Sequence, residues 1–70
     1  MKIEDFIGKE VKLYPNDTHY KYATLLSFDK DSGYVFEYTD VSDRSGHKRG
    51  DIEFMNNAKV VVFRLKRDGE

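Results

Sequence analysis

Over most of this chain apolar residues recur at every second position, the period of a half-buried strand. Val11 and Leu13 alternate with Glu10 and Lys12, and Pro15-Asn16-Asp17 then breaks the pattern. Residues 20–28 predict a longer strand rich in aromatic, Thr and Leu side chains. Asp29-Lys30-Asp31-Ser32-Gly33 follows as a hairpin turn, with Gly33 free to take positive φ. Residues 34–39 predict the next strand, with Tyr34, Phe36 and Tyr38 on one face and Val35, Glu37 and Thr39 on the other. Ile52 and Phe54 alternate with Asp51 and Glu53, Asn56-Asn57 reads as a tight turn, and residues 58–65 predict the last strand. Helical spacing occurs once, at Ile3, Phe6 and Ile7, where Gly8 stops it.

A short helix and five strands joined mostly by tight turns predict a mainly β domain, a small five-stranded barrel of the SH3 or Sm type. Residues 1–70 form one domain, with residues 1–8 as the helix and 67–70 as a polar tail. Alternation assigns Val11, Leu13, Leu25, Phe36, Ile52, Phe54, Val61 and Phe63 to the core. The last strand is apolar on both faces, with Val60 and Val62 opposite Val61, Phe63 and Leu65. Either the N-terminal helix covers its second face with Ile3, Phe6 and Ile7, or another subunit does.

Size sharpens that choice. A 70-residue chain buries only ~60% of the surface its unfolded form exposes. It has no cysteine for a disulfide or thiolate metal site, and its two histidines, His19 and His47, make a poor zinc set. Self-association is the remaining support. The N-terminal residues mix charged and apolar types without the run of a signal peptide. The longest apolar run, residues 60–63, is too short for a bilayer. Asn16-Asp17-Thr18 matches a glycosylation sequon but reads as turn chemistry, and the expected location is the cytoplasm. A net charge of −1 argues against a protein that coats nucleic acid non-specifically. Residues 1–40 carry five lysines against eight acids, and residues 41–70 seven Lys/Arg against five. An anion site therefore belongs to the second half.

The segments FIGKEVKL and YATLLSFDKDSGYVFEY, closed by the hairpin of residues 51–65, resemble the Sm-like (Hfq-type) family from Phe6 to about Leu65. The second segment is similar to the first Sm motif: apolar strand, Phe-Asp, turn, apolar strand. The resemblance implies rings built by pairing edge strands of neighbouring subunits, and RNA or nucleotides bound near the turns. Among the family's binding-loop positions Asp29 carries over. Ala23 stands for the usual glycine, Ser32-Gly33 for the asparagine turn, and Asn56-Asn57 for the basic pair of the last hairpin. The likeness thus bears on fold more than on a uridine-type pocket. In size, lack of cysteine and strand content the chain also resembles small bacteriophage accessory proteins, some of which sequester nucleotide immune signals of the host.

Catalysis is not expected. Neither histidine has a Ser or Cys partner in a nucleophile motif. DKDSG begins like a calcium loop, but its glycine comes at the fifth position and strands flank it. No cofactor or metal is expected. Five tyrosines and five phenylalanines are many for this length. Most serve core and rim packing, while Tyr20 and Tyr22, on one strand face, form the best pair for stacking bases. The dense basic cluster lies in SDRSGHKRGD, residues 42–51, where Arg44, His47, Lys48 and Arg49 surround Gly46. The two arginines can grip phosphate bidentately and Lys48 adds a point charge. Alternatively Asp43 and Asp51 pair with these cations and leave a solvated turn. In a symmetric oligomer several copies of the loop can converge. The expected partners are a second copy of the chain and a small nucleotide or short RNA, or else a host protein docked on a strand edge.

Overall fold

The computed structural model describes residues 2–56 and 58–70. Five antiparallel strands form one open sheet: β1 (Glu10–Leu13), β2 (Lys21–Asp29), β3 (Gly33–Val41), β4 (Ile52–Met55) and β5 (Phe63–Leu65). Their order is β4-β3-β2-β1-β5, so β1 to β4 meander and β5 returns to lie beside β1. A single 3-10 turn, Ile3–Phe6, precedes the sheet. Gly8, at φ 84°, ends it and donates its amide to the Leu25 carbonyl at 2.7 Å. The β2–β3 hairpin closes as its sequence implies. Asp29 Oδ1 accepts the amides of Asp31 and Ser32, and Gly33 takes φ 106°.

Val11, Leu13, Ala23, Leu25, Phe36, Tyr38 and Met55 form the buried cluster. Curvature brings β5 over it, where the Phe63 ring meets Tyr34 at 5.6 Å and Phe36 at 5.7 Å, both edge-on. Phe6 closes the same end against Phe63 at 5.3 Å. The N-terminal turn therefore seals the core side of β5 and does not cover the opposite face, where Val60 and Val62 stay exposed. In β2, register shifts at Tyr22/Ala23 and Leu25/Ser27 interrupt simple alternation, and there two successive residues share a burial state: Tyr22 and Ala23 are both buried, Leu26 and Ser27 both exposed.

Two expectations from alternation fail. Ile52 and Phe54 are not core residues; Phe54 is 77% exposed. The β3–β4 register sets Met55 opposite Tyr34 and Glu53 opposite Phe36, so β4 turns Glu53 and Met55 inward. A shift of one position reverses a strand's faces, and the charge this brings inward is accommodated because Glu53 accepts the Tyr38 hydroxyl at 2.6 Å. The last strand is also short, spanning Phe63–Leu65 instead of residues 58–65. Its ladder partner runs out: Tyr14 sits at φ 46° and turns β1 away after donating its amide to the Val62 carbonyl at 2.7 Å. Val61 and Phe63 nonetheless pack against the core as alternation implied. The tight turn expected at Asn56-Asn57 includes a residue outside those described.

This packing ranks two similar substitutions. Phe36→Ala removes a fully buried ring and should cost ~3–5 kcal/mol, much of a small domain's stability. Phe54→Ala should cost less than about 1 kcal/mol. Urea unfolding followed by circular dichroism measures both, and the reverse ranking would refute the β4 register.

Candidate functional site

The basic loop begins where β3 ends. Ser42 donates its amide to the Tyr20 carbonyl at 3.0 Å, which ties the loop to the entry of β2. Short bonds then fold it on itself: Ser45 N–H to the Ser42 carbonyl, His47 N–H to Ser45 Oγ, and Lys48 N–H to Asp51 Oδ2. Gly46 and Gly50 hold φ of 81° and 89°, a region costly for side-chain-bearing residues. Gly50 N–H reaches the Tyr38 carbonyl at 2.7 Å, and Tyr38 N–H reaches the Asp51 carbonyl at 2.9 Å. The amides of Ser45, His47, Lys48 and Gly50 are thus engaged within the fold. What the loop offers an anion is chiefly side chains.

His47 lies flat on Tyr38, with ring centroids 4.5 Å apart and planes at 21°. Burial, then the hydrogen bond to Glu53, pushes the Tyr38 phenol far above its ordinary value of 10.0. Its hydroxyl stays protonated and keeps donating across the neutral range. Beside this stack opens a cleft of about 480 Å³, lined by Asp40, Ser42, Asp43, His47, Lys48 and Arg49. Ser42 Oγ is buried without a hydrogen-bond partner among the described residues. Arg44 is exposed and is not among the residues lining the cleft.

Among the described residues, no ion pair joins Asp43 or Asp51 to the loop's cations. Asp51 instead accepts the Lys48 amide, so its carboxylate caps the turn. The side chains of Arg44, Lys48 and Arg49 have no hydrogen-bond or ion-pair partner in the described residues. The mutual neutralisation that would make this a plain solvated turn is not how the loop is arranged.

Tyr20 and Tyr22 do share a face, with ring centroids 5.6 Å apart. They differ in access. Tyr22 is 8% exposed, carries the Lys12 and Lys66 ammoniums over its ring at 5.8 and 5.2 Å, and donates its hydroxyl to Glu70. Tyr20 is 40% exposed and adjoins the loop through its carbonyl, so of the two it has the ring open to a base. Sequence reasoning missed the Tyr38–His47–Glu53 arrangement. Alternation places Tyr38 on a strand face with Tyr34 and Phe36 but not among the core residues, and sets Glu53 opposite the face of Ile52 and Phe54. In the structure Tyr38 is buried and bonds Glu53.

Among the described residues no group of three or more His, Cys, Asp or Glu side chains is placed to hold a metal ion. No helix in them is long and apolar enough to cross a membrane. No family model, curated protein or solved structure matches the chain.

Tyr38→Phe tests the organising role of this phenol. It should cost ~1–3 kcal/mol, because Glu53 loses a charge-assisted hydrogen bond. A phenol whose folded pKa is raised contributes stability that is complete below about pH 10 and lost as pH climbs through the folded value. Spectrophotometric titration should therefore show a late-ionising tyrosine in the native protein that is absent from Tyr38→Phe. A full set of tyrosines ionising near pH 10 in the native protein would contradict the arrangement.

Proposed function

We propose that this protein is a homo-oligomeric Sm-like barrel that binds a phosphate-bearing ligand, a small nucleotide or a short RNA, without turning it over. The observation that carries the reading is the loop of residues 42–51. It is pinned through Tyr38, borders a cleft, and leaves Arg44, Lys48 and Arg49 without side-chain partners among the described residues. Guanidiniums on an anchored loop suit bidentate phosphate contacts, because the loop's hydrogen-bonded backbone needs little further ordering on binding. His47 completes one wall, and Tyr20 supplies a ring for a base.

The strand order supports the barrel, since β5 beside β1 is the return that an SH3 or Sm barrel requires. Self-association is supported by the two open edges, β4 and β5. Exposed apolar side chains accompany both: Ile52 and Phe54 on β4, and Val60 and Val62 before β5. In a closed ring the loops would be brought together by symmetry, multiplying their charge. Sequestration of a host nucleotide signal by a phage protein, in the cytoplasm of a bacterial cell, is the role that fits binding without catalysis. The outward Phe54 favours one alternative, a module that docks this edge on a host protein. Salt separates the two, because phosphate binding weakens steeply with ionic strength while an apolar interface does not.

Calorimetric titration of a nucleotide panel and a short RNA tests the site. Arg49→Ala should weaken binding by ~1.5–3 kcal/mol, tenfold or more. Lys48→Ala should cost less and flatten the salt dependence. Neither should change thermal stability, since neither side chain has a partner to lose among the described residues. A triple alanine variant of Arg44, Lys48 and Arg49 that binds as tightly as the native protein would overturn the assignment.

Light scattering at micromolar concentration tests the assembly. A mass of several subunits is expected, and a clean 8.2 kDa monomer would remove the converged-loop arrangement.

A further inference from the structure

The face of the sheet opposite the core carries a second basic cluster, remote in sequence from the loop. The register sets Lys12 of β1 opposite both Tyr22 of β2 and Arg64 of β5, so the three side chains lie in a row on that face. Strand alternation alone would leave Tyr22 in solvent, yet it is buried. Lys12 and Lys66 lie over its ring and Glu70 takes its hydroxyl. Gly69, at φ 89°, turns the chain back, and Glu70 donates its amide to the Arg67 carbonyl at 3.2 Å.

The returning Glu70 carboxylate meets a dense set of donors. Arg64 grips it bidentately at 2.7 and 2.9 Å, the Tyr22 hydroxyl donates at 3.1 Å, and the Arg67 amide donates at 2.7 Å. The Lys12 ammonium stands 3.8 Å away. Among the described residues Glu70 is the ion-pair partner of both Arg64 and Lys12. Next to it lies a cleft of about 480 Å³ lined by Lys9, Glu10, Lys66, Arg67 and Glu70. Glu10 is already committed there to Lys66 and to the Thr39 hydroxyl. A guanidinium fork, an ammonium, a phenol and a main-chain amide converging on one point match the several oxygens of a phosphate group. The adjoining cleft leaves room for a ligand larger than one carboxylate.

We infer that Arg64, Lys12, the Tyr22 hydroxyl and the Arg67 amide form a second anion site, for a phosphate group, which Glu70 occupies as a tethered competitor. A carboxylate held by a short turn acts at an effective concentration in the millimolar range, roughly. The apparent affinity for an external anion falls by the fraction of time the site is open. Withdrawing the tail would also free the Tyr22 hydroxyl. The site rests on different residues from the loop of residues 42–51, so it stands or falls separately.

The test is a titration of inorganic pyrophosphate at constant ionic strength, with chloride as the control anion. NMR signals of the Arg64 side chain and the Arg67 amide report binding. Glu70→Ala should bind pyrophosphate about tenfold or more tightly than the native protein, as removal of a mostly closed competitor requires. Adding Arg64→Ala should abolish the gain, and the triple alanine variant of the loop should leave it intact. Equal affinity of Glu70→Ala and the native protein would overturn the proposal, as would a gain that survives Arg64→Ala. The spectra report whether each variant is folded. Glu70→Gln, which keeps the side-chain shape, carries the same expected direction and decides the matter if the alanine variant unfolds.

Discussion

Tyr38 ties the sheet to the loop. Its ring is buried in the core, its hydroxyl holds Glu53, and its amide and carbonyl bond Asp51 and Gly50. One face of the same ring stacks on His47. One residue therefore sets which way β4 faces and where the basic loop sits. A buried phenol needs a partner for its hydroxyl, and taking Glu53 as that partner turns Phe54 outward. The exposed aromatic of the β4 edge follows from the hydroxyl's bond to Glu53, and the anchored loop from the same residue's main-chain bonds and its stack with His47.

Where burial follows local alternation, the fold was legible in the chain. Val11, Leu13, Leu25 and Phe36 are buried as their spacing implies, and the Asp29–Gly33 turn closes with the bonds its residue types suggest. Legibility ended where a long-range partner decides the outcome. Nothing within IEFM reveals that Tyr38 of β3, 15 positions before Glu53, will claim that carboxylate and reverse the faces. Nothing within residues 58–65 reveals that β1 turns away at Tyr14 and leaves Val60 to Val62 without a ladder. Short edge strands carry few residues over which alternation can be read, so one polar contact outweighs the pattern.

The candidate site was legible in composition but not in arrangement. The cluster of Arg44, His47, Lys48 and Arg49 is plain in the sequence, and whether Asp43 and Asp51 neutralise it depends on loop geometry. Asp51 is turned to the Lys48 amide, and among the described residues the loop's cations have no ion-pair partner. The tail shows the opposite case. Read as a polar end, it returns to the sheet because Gly69 permits the turn and Arg64 and Tyr22 receive Glu70. Arg64 first, then the Arg67 amide, holds that carboxyl far below the usual carboxylate range. One basic group thus stands open while the other is closed by the chain's own acid.

The most direct measurement of the central claim is an NMR map of the native protein titrated with nucleotides and a short RNA. Amide shifts at residues 42–49 and at Tyr20 that fade as salt rises are the expected result. Shifts centred on Ile52 and Phe54, or no shift with any phosphate-bearing ligand, would contradict it.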